Sequence, residues 1–438
     1  MKLKHLRIAN CSRISDIDIE MRDNVVLIGP NGSGKTTVLL CLDMLLGMDD
    51  QHLHELVSES FVRNEAKPLT VEAVLDDLDA AELATFSGNY NSAETNGLVI
   101  KLEASTEGDA VNIVRSFPAC NAQSNAFGWT LLQAEASPHD NDSGQKPIPR
   151  GASTAPRSPF AAAISNLLAT GANIIAIDEP EAHLHPSSQR SLAKKLKASG
   201  GQKILVTHSP TIAGSFEPDE IVVIRADGTA SQSRRDFLSG NASMLARWWI
   251  GRQLEPLTAG TVIAVEGPSD RIIVDAVASA LGFDLDGHDV VVMETNGCGD
   301  MKVVESIFGS GGFDIPLYEL IDEDAMDDAV KRLDVDADDL EAHSVFVSTR
   351  DLEDEYVRAI GAKRLWTRMK ETRTFTRNVF SLCRTEPDGF PTEASLAEFI
   401  RSKSNRKIPA ALLAAELIDE TNACDVSSVA RLLEAAWS

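Results

Sequence analysis

Gly29-Pro30-Asn31-Gly32-Ser33-Gly34-Lys35-Thr36 decides how the N-terminal half folds. It follows the apolar run Asn24-Val25-Val26-Leu27-Ile28, which reads as a short buried strand, and precedes residues 37–46, which read as a helix. A G-x-x-x-x-G-K-[ST] run between a strand and a helix is a phosphate cradle. Its glycines let the backbone curl until its N–H groups point inward, and the helix N-terminus adds a favourable dipole. Lys35 then neutralises the β- and γ-phosphates of ATP, and Thr36 is a ligand for Mg2+. Gly29, Pro30, Asn31, Gly32, Ser33, Gly34 and Thr37 complete the expected nucleotide-binding set.

Outward from this turn, residues 3–8 and 17–21 alternate as half-buried strands. Strand patterns recur at 70–75, 98–102 and 111–114, with a helix expected near 79–85. Residues 136–159 are rich in Ser, Pro, Gly and Asp and read as a flexible loop inside the first domain. A helix at 160–169 leads to the apolar strand 173–177, then a helix at 187–199 and a strand at 203–207. This alternation predicts an α/β sheet with helices on both faces.

The strand 173–177 runs into Ile177-Asp178-Glu179-Pro180-Glu181-Ala182-His183-Leu184-His185-Pro186. Adjacent acids at a strand end suit ATP hydrolysis: Asp178 holds Mg2+ through water, and Glu179 orients the attacking water. His208, in Val206-Thr207-His208-Ser209-Pro210 at the next strand's end, suits a contact with the γ-phosphate. His183 and His185, two apart in a turn, read as packing and hydrogen-bonding groups.

A boundary near residues 254–260 separates a first domain, 1–255, from a second, 256–438. In the second, strands at 261–265, 289–293, 316–321 and 344–348 predict a smaller parallel sheet. Glu266 and Asp270 follow the first of these, Asp322 and Asp324 the third, and Asp351 and Glu353 the fourth. Carboxylates at one edge of a parallel sheet converge in the crevice where such sheets bind ligands. Hard oxygen donors in that number suit Mg2+ or Mn2+, and two such ions suit phosphodiester cleavage.

The first three elements resemble the ABC-type ATPases of the RecF, SMC and OLD group, in which a D-E-P-E-x-H-L-H-P segment follows the catalytic strand. The E-G-x-S-D and D-x-D pair (Glu266 to Asp270, Asp322 to Asp324) resembles the Toprim domain, and Asn296-Gly297-Cys298-Gly299 fits its glycine-containing turn. In series they resemble the OLD (overcoming lysogenization defect) family. That resemblance implies an α/β chain: an ABC-type P-loop ATPase domain, then a Toprim domain (a Rossmann-like parallel sheet) with C-terminal helices. It implies an ATP-regulated, metal-dependent DNA endonuclease or nickase in anti-phage defence, acting as a homodimer or larger, with a second defence protein as a further partner. It adds Lys407, in Arg406-Lys407-Ile408-Pro409-Ala410, as the lysine that completes the metal site. The signature that closes on a partner subunit's ATP is degenerate here, in Pro149-Arg150-Gly151-Ala152-Ser153-Thr154-Ala155-Pro156-Arg157. The alternative is a RecF- or SMC-like DNA-binding ATPase without nuclease activity. A topoisomerase or primase is disfavoured by only three tyrosines and the lack of a zinc module.

Composition narrows the partners. With 41 basic against 66 acidic residues the net charge is −25, which excludes a purely electrostatic DNA binder. DNA contact must come from local basic stretches, such as Lys363 to Arg377 and Arg401 to Lys407, and from bound cations. The six cysteines are scattered without a C-x-x-C pair, as expected of reduced thiols in a cytoplasm. No apolar run approaches the ~18 residues of a membrane span.

Overall fold

The computed structural model describes residues 1–57, 61–64, 66–78, 97–107, 110–116, 127–133, 159–170, 173–295 and 301–437. The helix expected at 79–85, the 136–158 part of the expected loop, the degenerate signature and the turn at 296–299 lie outside them. Pro159, the last residue of that loop as read from sequence, opens the helix Pro159–Thr170. The chain divides into two units, Met1–Thr258 with Gly311–Phe313, and Ala259–Ser310 with Asp314–Ser438.

The first unit holds two sheets. Strands β1 (Lys2–Cys11), β2 (Ile14–Glu20), β4 (Leu69–Asp76), β5 (Leu98–Glu107) and β6 (Ala110–Arg115) form an antiparallel sheet in the order β2-β1-β4-β5-β6. Strand β4 buries every second residue, Leu69, Val71, Ala73 and Leu75, as expected for one covered face. Strands β3 (Asn24–Ile28), β7 (Trp129–Gln133), β8 (Ile174–Asp178), β9 (Gln202–Val206), β10 (Ile221–Ile224) and β11 (Ala230–Gln232) form the second, in the order β11-β10-β3-β9-β8-β7. Five of these six are parallel, and β8 and β9 are buried at every position, because a parallel sheet is covered on both faces.

Helix Lys35–Leu46 is apolar nearly all round, and its residues Val38, Leu39, Leu42 and Leu45 join one core with Leu6, Ile8, Leu27 and Ile204. Such a helix has to be covered on more than one side. The antiparallel sheet supplies that second cover. Gln202, buried on β9, stitches the sheets together: its Oε1 accepts from Leu3 N at 2.8 Å, and its Nε2 donates to Leu3 O at 2.7 Å and Arg22 O at 2.9 Å.

The second unit is a four-stranded parallel sheet of β12 (Thr261–Val265), β13 (Val290–Glu294), β14 (Leu317–Asp322) and β15 (Val345–Ser348), in the order β13-β12-β14-β15. Helices Pro268–Leu281, Leu352–Ile360, Ala362–Glu371, Glu393–Arg401, Ser404–Ala415 and Ser427–Ala436 enclose a core containing Val274, Val277, Tyr356, Trp366, Phe399 and Leu432. Among the described residues no helix is long and apolar enough to cross a membrane.

Candidate functional sites

In the first unit the phosphate loop leaves β3, His208 follows β9 next to it, and Asp178 ends β8, the strand beyond. Register levels them: Leu27 pairs with Val206, which pairs with Asp178. Parallel strands carry all three segments to one edge of the sheet. At Gly29, with φ +154°, a Cβ would stand 2.1 Å from Ile224 O; at Gly34, with φ +108°, it would stand 2.7 Å from Ile14 Cδ1. Only glycine fits this cradle.

The helix that begins at Lys35 has no side-chain cap, so its first N–H groups remain available to an anion. Lys35 Nζ donates to the carbonyls of Gly29 and Pro30 at 2.9 and 2.7 Å. Burial pulls its pKa down, against Asp178 and Glu179, which raise it. Burial raises Asp178, while a hydrogen bond from Thr36 opposes the rise. Asp178 Oδ1 and Ser33 Oγ are both buried without a hydrogen-bond partner. Two orphaned oxygens beside a trapped lysine fit a magnesium–nucleotide complex.

Glu179 and His208 both reach the surface at this edge. Glu179 adopts φ +50°, and its N–H donates to Val206 O at 2.9 Å. His185 caps helix Pro186–Ala198, accepting from Ser187 N, in keeping with the structural role expected of it. Arg13, which the sequence did not single out, lies with its Nη1 3.8 Å from where a Gly32 Cβ would be. Its only signal was a basic residue in the turn between the first two strands.

In the second unit, Glu266 follows β12 and Asp322 ends β14. Ligand oxygens of Glu266, Asp322 and Asp324 lie within 4.8 Å of one another. Burial, then Glu266, Asp270 and Glu353, push the Asp322 carboxyl up to about 7. Burial and Asp270 likewise raise Glu266. Asp270, in the first turn of helix Pro268–Leu281, reaches back to Gly267 N at 3.0 Å and so shapes the turn that carries Glu266. Glu353, 2% exposed, pairs with Lys407 Nζ at 3.2 Å. Burial lowers the Lys407 pKa, but Glu353, Asp270 and Asp322 together outweigh it and leave it raised. Lys407, expected from the resemblance alone, therefore lies among the acids. All-carboxylate oxygens that resist ionising together fit a hard divalent cation. A cavity of about 600 Å³ opens beside Glu266, with Val265, Thr295, Lys302, Ile321 and Lys331 in its lining.

Asp351, expected as a metal ligand, is already engaged within the protein. Its Oδ1 caps helix Leu352–Ile360 by accepting from Asp354 N at 2.8 Å, and its Oδ2 is ion-paired with Arg401. Arg401 also pairs with Asp354 at 2.7 Å. The basic stretch is similarly engaged. Arg364 pairs with Asp419 at 3.3 Å and Arg368 with Glu416 at 2.6 Å, while buried Arg406 donates to Phe399 O at 2.8 Å. Five of the expected DNA-facing cations, Lys407 with Glu353 among them, thus have intramolecular partners. Glu355 was also missed: fully buried, it accepts from Thr349 N, Ser428 N and Ser428 Oγ at 2.8 to 3.0 Å and anchors the last helix. It sits two residues beyond Glu353 in an acidic run that gave no hint of which carboxylate turns inward.

Comparison with known proteins follows the same division. Residues 1–141 and 166–213 match the AAA ATPase domain, and residues 257–324 match the overcoming lysogenization defect protein-like TOPRIM domain. The probable amino-acid import ATP-binding protein YxeO of Bacillus subtilis is 29% identical over 221 residues, covering 49% of this chain and 78% of that protein. The OLD nuclease of Thermus scotoductus is 29% identical over 164 residues, covering 34% of this chain and 30% of that protein. The chain therefore spans under a third of that nuclease. The C-terminal region of the Xanthomonas campestris pv. campestris OLD protein aligns over 42% of this chain and 97% of its own at 25% identity, with a TM-score of 0.34. The SMC head domain of Thermotoga maritima aligns over 52% and 97% at 13% identity, with a TM-score of 0.33.

An ATPase domain followed by a Toprim domain defines the class of this protein. Within that arrangement, the second domain is similar to the TOPRIM domain of overcoming lysogenization defect proteins.

Proposed function

We propose that the protein is an ATP-regulated, divalent-metal-dependent DNA endonuclease or nickase. The observation that carries this reading is the meeting of Glu266, Asp322 and Asp324 at the ends of two neighbouring parallel strands. Burial, then Glu266, Asp270 and Glu353, hold Asp322 at about 7, so a bound cation would favour its ionised form. When bound, Mg2+ or Mn2+ supplies activation of water and charge stabilisation at the scissile phosphate. Glu266, Asp322 and Asp324 hold the cation, and Asp270 positions the Glu266 turn. Lys407 neutralises Glu353 and offers a positive charge to the phosphate that approaches. Asp351, engaged by Arg401, acts as a helix cap and keeps that arginine beside the acids.

In the first unit, the glycine-rich turn and Lys35 grip the ATP phosphates. Thr36 and Asp178 face the Mg2+ position, Glu179 orients water, and His208 faces the γ-phosphate. We extend the reading to a cytoplasmic homodimer or larger assembly in anti-phage defence, acting with DNA and with a second defence protein. Solution mass with and without ATP tests the assembly. The deciding experiment is plasmid cleavage with Mg2+ or Mn2+ by the parent, Glu266→Ala and Asp322→Ala chains. Cleavage is expected from the parent alone. Equal nicking by all three rejects the nuclease and leaves the DNA-binding ATPase alternative.

A further inference from the structure

Glu181 has no part in the phosphate or metal contacts above, yet its carboxylate is where two loops of the nucleotide site meet. Its Oε2 accepts from Thr207 Oγ1 at 2.8 Å, and its Oε1 accepts from the His208 N–H at 2.7 Å. Thr207 is fully buried, and its Oγ1 in turn accepts from Ser209 N at 3.0 Å. A second tie runs alongside. Ser209 Oγ donates to Gln189 Oε1 at 2.7 Å, and Gln189 Nε2 donates to Leu184 O at 2.9 Å. The loop after β8 and the loop after β9 are thus laced together by side chains.

Glu179 belongs to the first of these loops and holds φ +50°, a left-handed conformation that a non-glycine residue keeps only when its surroundings impose it. His183, further along the same loop, is held at φ +60°. A free loop would relax from both. One oxygen takes the His208 N–H and the other the Thr207 hydroxyl. A carboxylate offers both as acceptors, whereas glutamine would meet Thr207 with an N–H2 and oblige its hydroxyl to accept instead.

We propose that Glu181 is a positioning residue for ATP hydrolysis, a carboxylate strap that locks the Glu179 loop to the His208 loop. The water-orienting acid and the phosphate-facing imidazole then hold one spacing through the cycle. The inference rests on the ATPase reading given above. Hydrogen bonds to an ionised acceptor are strong, so their loss is expected to read as a fall in kcat of roughly 10- to 100-fold.

The test uses the whole chain and three variants, Glu181→Ala, Glu181→Gln and Thr207→Val. ATP turnover, affinity for a fluorescent ATP analogue with Mg2+, and hydrogen exchange of the peptide carrying His208 are measured together. The expected result is the fall in kcat above for Glu181→Ala, a smaller fall for the other two, and affinity within about twofold of the parent. Exchange at His208 rises in both Glu181 variants. Parental kcat in Glu181→Ala, or an equal loss of affinity, overturns the proposal, as does unchanged exchange at His208. If Glu179→Gln turns over ATP as fast as the parent, the ATPase reading fails on its own, and the exchange measurement still decides the strap.

Discussion

The two phosphate-handling regions of this chain solve opposite electrostatic problems. The nucleotide site presents positive potential: uncapped N–H groups at a helix start, glycine backbone and a buried Lys35. Hydrogen bonds from Lys35 to the Gly29 and Pro30 carbonyls and tight contacts at Gly29 and Gly34 hold its phosphate loop. The carboxylate site presents like charges. Burial raises Glu266, Asp270, Asp322 and Glu353, neighbouring carboxylates add to the rise at Glu266, Asp322 and Glu353, and Lys407 opposes it at Glu266, Asp270 and Glu353.

The largest expected effect separates the two regions outright. Asp322→Ala should lower metal-dependent cleavage by about 10³-fold or more, because metal stabilisation amounts to several kcal/mol. ATP hydrolysis should stay near the parental rate. Coupled loss of both activities in that variant would break the contrast.

Next comes the nucleotide side. Lys35→Ala should weaken ATP binding by roughly 30- to 150-fold, as expected for charge-assisted hydrogen bonds. Divalent-ion binding measured by calorimetry without nucleotide should not change.

The metal-free protein supplies a pH test. Asp322 is raised to about 7, whereas in the unfolded chain it keeps the ordinary carboxyl value. Between those values the folded state holds a proton that the unfolded state has released, so stability falls as pH rises through that window and levels off above about 7. With EDTA present, Tm of the parent should therefore fall relative to Asp322→Asn as pH goes from about 5 to 7.5. Divalent ion should restore it most at the alkaline end. Parallel curves for the two chains would show that the cluster is not strained.

The smallest effect concerns the basic stretch. Arg364 and Arg368 are exposed and already paired with Asp419 and Glu416. Replacing both with alanine should leave Tm close to that of the parent. The salt dependence of DNA binding should be unchanged; a slope reduced by about one per residue would return them to the DNA-facing set.

Much of the frame was legible from local pattern. A strand, a glycine-rich turn and a helix declare themselves between residues 24 and 46, and acids at the ends of apolar strands announce a shared sheet edge. The antiparallel sheet over helix Lys35–Leu46 was harder to see, since scattered strand patterns do not say which strands pair. Asp351 and Glu353 looked equivalent as letters, two apart in one acidic run. The fold turned one into a helix cap bound by Arg401, 50 residues away, and left the other against Lys407.

The amino-acid order by itself determined the chemistries: the phosphate cradle, the adjacent acids beyond it, and the carboxylates that follow three later strands. Those are properties of residue type and short spacing. Tertiary structure alone decided which charges are spent on one another, which carboxylates remain for a cation, and that Glu181 straps two loops. Such choices depend on which side chains become neighbours after burial, and chain spacing carries no record of that.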